Sequence, residues 1–131
     1  MISSVVTYVK SFWDYHGEVR LEQDLAISRG SAVFEAIEAR GKVMFHYDDH
    51  YERLLYSARG ADIRIDALPS RHVISERIKQ LLQRHGHFES IVKIIVTEGY
   101  SLDDKVAAGI PNLILRILPS HKRPYRPLHL E

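Results

Sequence analysis

The sequence predicts an α+β domain: a mainly antiparallel sheet with two helices packed on one face, in two layers. Three observations carry that reading. Short β-branched and apolar runs occur both early and late in the chain, two stretches of helical periodicity lie between them, and the elements come in blocks rather than in regular β-α alternation.

Residues 5–9 are β-branched and aromatic and read as a first strand. Asp14 to Gly17 form a turn into a second run at residues 18–21, which makes an opening hairpin. Residues 31–63 are the stretch around which the chain is organised. Val33, Phe34, Ile37 and Ala39 interleave with Glu35, Glu38 and Arg40, the Arg40-Gly41-Lys42 step breaks the pattern, and Val43, Met44 and Phe45 resume it as the second arm of a hairpin. Asp49 followed by Glu52 has the form of a capping box, which predicts a helix starting near Asp49. Tyr51, Leu54, Leu55 and Ala58 give that helix an apolar face, and Gly60 is expected to end it in the left-handed conformation.

A second helix is predicted from Ser70, a good N-cap, through Ile74, Ile78, Leu81, Leu82 and His85 to a closing Gly86. Residues 90–97 and 113–118 are near-continuous apolar runs interrupted by Lys93 and by Arg116, as expected of strands in the middle of a covered sheet. The intervening residues 98–112 form a loop longer than most hairpin connections. Residues 1–118 therefore read as one domain. Residues 119–131, with prolines at 119, 124 and 127, read as an extended interdomain linker.

Composition narrows the functional classes. The 131 residues are 45% hydrophobic, enough for one core, and 18 Lys+Arg against 17 Asp+Glu leave a formal charge of +1. No global field recommends nucleic acid or a membrane surface, and the short basic group Lys122, Arg123 and Arg126 is better read as part of the linker. The absence of cysteine excludes disulfides and thiolate metal sites. No run is long enough to span a bilayer and the start lacks the pattern of a signal peptide, so a cytoplasmic location is the expectation. His46 and His50 are four apart, but no third ligand is placed with them and no metal site is expected. His85 and His87 flank the end of the second helix, where a cation suits the dipole.

Val33-Phe34-Glu35, the hairpin, His50-Tyr51-Glu52-Arg53-Leu54 and Ser57-Ala58, with Asp24 and the small cluster Gly30-Ser31-Ala32 upstream, together resemble the amino-terminal small domain of fold-type IV, class IV pyridoxal-phosphate enzymes. These are the branched-chain and D-amino-acid aminotransferases and aminodeoxychorismate lyase. Leu25 and Ala26 depart from the pattern.

The resemblance implies a role for Arg53, Phe34, Arg29 and Lys93, and for Glu35 none beyond that of a polar partner. Arg53 would contact the phosphate of pyridoxal 5'-phosphate, a task suited to a fork of donors that stays charged at any working pH; from the residue alone, a surface arginine pairing with Asp49 is the blander reading. Phe34 would line the substrate side-chain pocket, against simple core packing. Glu35 is expected to be a polar, structural partner. Arg29 would reach the neighbouring subunit's site or else lie solvated on a loop. Lys93 would meet a substrate carboxylate or else sit on the exposed sheet face. Asp103 and Lys105 fall where D-amino-acid enzymes place an arginine and a histidine, and Asp103 has the wrong charge for that task.

The resemblance also implies a homodimer acting on an amino acid and a 2-oxo acid, with the cofactor lysine in a larger domain beyond residue 131. No catalytic residue is therefore assigned within this chain, and the isolated chain is expected to be inactive. A branched-chain or related amino acid is the expected substrate. The alternatives are the small domain of a lyase, or a stand-alone binding or dimerisation module that kept the fold.

Overall fold

The structure, a computed structural model, describes residues 6–10 as backbone and residues 30–86, 88–99 and 111–120 in full. The hairpin partner at residues 18–21, Arg29, most of the 98–112 loop and the linker residues 121–131 lie outside the described residues.

Among the described residues, five strands form one antiparallel sheet in the order β1-β5-β4-β2-β3. They are β1 (Val6–Lys10), β2 (Ala32–Arg40), β3 (Val43–Met44), β4 (Glu89–Thr97) and β5 (Leu113–Pro119). The helices α1 (Tyr47–Gly60) and α2 (Arg71–His85) fall between β3 and β4 in the chain, joined by a short 3-10 turn at Ile65–Ala67. The α+β expectation is met. The two near-continuous apolar runs are the inner strands β4 and β5, and the first strand pairs with β5 in the register Val6 to Ile117.

Strand alternation decides the two faces of the sheet. On β2, β4 and β5 the residues Ile37, Ala39, Val92, Ile94, Val96, Leu113, Leu115 and Ile117 are buried and share one core with Tyr51, Leu54 and Ala58 of α1 and Ile74, Ile78, Leu81 and Leu82 of α2. Both helices therefore cover the same face. The neighbours along each strand, Phe34 and Ala36, Ile91, Lys93 and Ile95, Ile114, Arg116 and Leu118, lie on the opposite face and are exposed or half-buried. No described helix covers that side, which is hereafter the open face.

The first helix departs from the sequence reading at both ends. It starts at Tyr47, after His46 in the left-handed conformation (φ 58°), with no side-chain cap, so Asp49 and Glu52 lie inside the helix rather than forming a capping box. Asp48 and Asp49 still place negative charge on the first turn, where the helix dipole favours it. Gly60 is the last helical residue and has no positive φ. The left-handed position is taken by Asp62 (φ 57°), closed by Ile63 N–H donating to Ala58 O and Asp62 N–H to Arg59 O. That is a Schellman-type ending with aspartate where glycine is usual, which an Asx side chain tolerates. The ends of α2 match expectation: Ser70 Oγ accepts from Val73 N–H and Gly86 (φ 76°) caps the C-terminus.

Four contacts, all to Arg71, tie the helices to each other. Tyr47 donates its hydroxyl proton to Arg71 O at 2.7 Å, and the Arg71 guanidinium lies 4.8 Å from the centre of the Tyr51 ring while also pairing with Glu52 and, at 3.6 Å, with Asp48.

Candidate functional site

Glu35 occupies a helix-facing position on β2, in the alternation that buries Ile37 and Ala39 further along. Here α1 crosses the strand, and residues three apart on a helix share a face, so His50 and Arg53 both reach Glu35. His50 Nδ1 lies 2.7 Å from Glu35 Oε1, and Arg53 approaches the same oxygen with Nη2 at 2.9 Å and Nε at 3.2 Å. Arg53 Nη2 is also 2.8 Å from His50 Nδ1. One nitrogen cannot both donate to the carboxylate and accept from the guanidinium. The arrangement that satisfies the carboxylate has His50 Nδ1–H and Arg53 both donating to Glu35.

The polar cluster is graded in exposure. The side chains of Glu35 and His50 are 16% and 18% exposed, whereas that of Arg53 is 67% exposed. Arg53 is thus held on its inner edge, and its other terminal nitrogen, Nη1, has no partner among the described residues. A guanidinium fixed by a carboxylate on one side and open on the other can receive a phosphate or carboxylate as a fork. The pairing of Arg53 with Asp49 across a helical turn does not form; Asp49 lies 3.7 Å from His46 instead.

Phe34 and Lys93 come together on the open face. Phe34 is 61% exposed, which rules out core packing, and Lys93 Nζ sits 5.9 Å from the centre of its ring. The Lys93 position, on the face that neither described helix covers, agrees with a strand that turns every other residue away from the core. Arg53 and the Phe34–Lys93 pair are therefore on opposite faces of β2, although Phe34 and Glu35 are consecutive.

What connects the two faces is an edge. The short β3 pairs with β2 only at Ala39 and Arg40, and Phe45 N–H donates to Glu38 O just beyond them. From Ala32 to Ile37 no described strand lies on that side. Backbone groups alternate in direction along an antiparallel strand, so Phe34 and Ala36 present theirs to the same side as Glu38, where no strand among the described residues pairs with them.

Sequence reasoning named Arg53, Phe34 and Lys93 but gave His50 only a discarded metal reading. The signal for its actual partner was the three-residue spacing to Arg53 combined with an acid at a helix-facing strand position. Arg116 received no role, and its cross-strand pairing with Lys93 depends on a register that no local pattern fixes.

Matched against solved structures, this architecture is that of the fold-type IV aminotransferases, branched-chain aminotransferases and aminodeoxychorismate lyase, over most of the chain. A fold IV-transaminase from Curtobacterium pusillum is 25% identical with a TM-score of 0.62, the match covering 80% of this chain and 35% of that one. The branched-chain amino acid aminotransferase from Escherichia coli is 19% identical (TM-score 0.66; 79% and 36% covered), and 4-amino-4-deoxychorismate lyase from Pseudomonas aeruginosa is 22% identical (TM-score 0.65; 93% and 42% covered). At the latter identities the likeness establishes a shared fold. The chain spans between 35% and 42% of the length of these three. No family model matches the sequence, and no curated protein does. Among the described residues, no helix is long and apolar enough to cross a membrane.

Proposed function

We propose that this chain is the small domain of a pyridoxal-phosphate-dependent class IV aminotransferase acting on branched-chain or related amino acids. In this reading it supplies the arginine that anchors the cofactor phosphate and one wall of the substrate pocket. The observation that carries the proposal is the Arg53–Glu35–His50 cluster between β2 and α1, in a fold shared with those enzymes. A hypothetical aminotransferase from Mycobacterium tuberculosis with a TM-score of 0.59 to this chain was solved in a PLP-bound form.

The residues present fit the cofactor's phosphate end. Arg53 Nη1 has no partner among the described residues, and Glu35 holds the other side of the guanidinium. Pyridoxal phosphate, when bound, supplies the electron sink for exchange of an amino group between an amino acid and a 2-oxo acid. Arg53 would hold the phosphate through its fork of N–H donors and would take no part in proton transfer. His50 shares Glu35 with Arg53 and fixes the carboxylate in turn. Phe34 bounds the substrate side chain with an aromatic surface, and Lys93, held beside its ring, meets a carboxylate.

A homodimer is part of the same proposal. Val43, Phe88, Tyr56 and Val73 are apolar groups more than half exposed, the kind of surface that association covers. Sedimentation of the chain should show self-association, and a strictly monomeric species at high concentration would remove this part of the reading.

The phosphate site is tested by equilibrium dialysis of the chain against pyridoxal 5'-phosphate and against pyridoxal. Binding should depend on the phosphate, and Arg53→Ala should abolish the difference between the two. Equal retention of both compounds by the unsubstituted chain, or unchanged retention of the phosphate by Arg53→Ala, takes Arg53 out of the site.

A further inference from the structure

A recess of about 520 Å³ opens between the β2–β3 hairpin and α2, with the first residue of α1 between them. Its lining is Lys42, Val43 and Met44 of the hairpin, Tyr47 of α1, and Ser75 and Lys79 of α2, the last two one helical turn apart and so on one face. Small-molecule sites span about 300–1,000 Å³ and combine an apolar lining with a few polar groups. The recess shares no residue with the Arg53–Glu35–His50 cluster or with the Phe34–Lys93 pair.

Its floor is apolar and held in place. Met44 pairs with Ala39, on the helix side of the sheet, and packs against the core while also lining the recess. Tyr47 packs on the same core, its hydroxyl donates to Arg71 O at 2.7 Å, and its ring centre lies 5.8 Å from that of Tyr51. A thioether and a fixed ring are both surfaces that favour an aromatic guest.

Both charged residues of the lining are lysines. Lys42 has no ion-pair partner among the described residues. Lys79 has Glu76 at 3.8 Å, a pair in which both side chains are about half exposed and which is therefore worth little. The acids on the first turns of α1 are engaged elsewhere, Asp48 and Glu52 with Arg71 and Asp49 with His46. Ser75 adds a half-buried hydroxyl.

We infer that this recess binds a small aromatic carboxylate, its ring on Met44 and Tyr47 and its carboxylate between Lys42 and Lys79. An ammonium is a compact charge that meets an anion from several directions, which suits two lysines reaching in from opposite walls. The ring supplies the binding area and the charge sets its direction. The inference does not depend on the cofactor reading.

The experiment is an NMR titration of the full chain labelled at its methionine methyl groups, of which the sequence has two, so that Met44 is read against Met1 alone. The probe is phenylpropionate, with phenylpropanol as the uncharged analogue and propionate as the analogue without a ring. Phenylpropionate should shift the Met44 methyl saturably, together with the amides of Val43, Tyr47, Ser75 and Lys79, and each analogue should bind about tenfold more weakly or worse. Lys42→Gln and Lys79→Gln should each weaken the carboxylate about three- to fivefold, and the double substitution should make it no better than the alcohol. Lys79→Arg should retain most of the affinity. Unperturbed amide shifts in β4 and β5 report that each variant is folded.

Equal affinity for the acid and the alcohol, or for propionate and phenylpropionate, overturns the inference, as does a Met44 response indifferent to the lysine substitutions. Arg53→Ala should leave the Met44 titration as it is while removing the phosphate-dependent retention of pyridoxal 5'-phosphate, so the two readings fail separately. A Met44 titration lost with Arg53→Ala would move the carboxylate to the Arg53 cluster and take the recess out of account.

Discussion

Glu35 and His50 are held together at 2.7 Å by side chains that are each more than four-fifths shielded from solvent, while the second partner of the same carboxylate, Arg53, stays largely in water. The two contacts should therefore differ in energetic weight. A hydrogen bond to a charged group away from solvent is worth about 1.5–3 kcal/mol, whereas an exposed ion pair contributes about 0–1 kcal/mol. His50→Ala should lower stability by about 2 kcal/mol and Arg53→Ala by less than about 1 kcal/mol in urea denaturation. An Arg53→Ala loss equal to that of His50→Ala would mean that the guanidinium is structural, and would weaken the case that its outer edge is kept for a ligand.

The ends of the helices give a second set of outcomes. An added Cβ at Gly60 meets nothing within 4 Å, and its φ is not positive, so Gly60→Ala should stabilise the protein by about 0.5–1 kcal/mol through helix propensity. Gly86→Ala also meets nothing, but it forces alanine to φ 76°, which should cost about 1–2 kcal/mol. Thermal denaturation of the two variants should thus shift in opposite directions. A loss at Gly60 would restore it as the residue that stops α1.

The elements most legible in the sequence were those whose signal is local. Ser70 and Gly86 bounded α2 correctly because a cap acts within one helical turn, and the strands β4 and β5 announced themselves as apolar runs. The start of α1 was misplaced because Asp49 and Glu52 satisfy the pattern of a capping box while Tyr47 begins the helix earlier, anchored through its hydroxyl to Arg71 on another helix. That anchor is a tertiary contact across 24 residues and leaves no mark in the local spacing. The site divides in the same way. The type and position of Arg53 were visible, but the choice of Glu35 over Asp49 as its partner follows from how α1 crosses β2, and the Lys93–Arg116 row from a strand register.

Alkaline pH should destabilise the protein through the half-buried Tyr47 and the buried Tyr51. Burial, reinforced by nearby Tyr51, raises the Tyr47 hydroxyl well above its ordinary value, and burial also raises Tyr51; Arg71 opposes both shifts only in part. A phenol whose folded pKa lies above its unfolded one contributes fully below about pH 10, the unfolded value, and its contribution falls as pH rises from there toward the folded pKa. The urea midpoint should be flat across mildly alkaline pH and decline above about pH 10. Tyr47→Phe should lose about 1 kcal/mol at neutral pH with its bond to Arg71 O, yet decline less steeply in alkali. Parallel alkaline slopes for the two proteins would contradict this assignment.

The faces of β2 can be told apart by truncating two of its residues that differ in direction. Ile37 is fully buried under the helices, and Phe34, three positions earlier, is 61% exposed on the open face. Ile37→Ala removes buried methylenes and leaves a cavity, a change that costs about 2–5 kcal/mol in comparable cores. Phe34→Ala removes a larger side chain, but one that is mostly in water, so its cost should stay below about 1 kcal/mol and come chiefly from the lost contact with Lys93. The order of stability should thus reverse the order of side-chain size. If Phe34→Ala instead destabilised as much as Ile37→Ala, the open face would have to be covered by packing that involves Phe34, and the place assigned there to a substrate would already be filled.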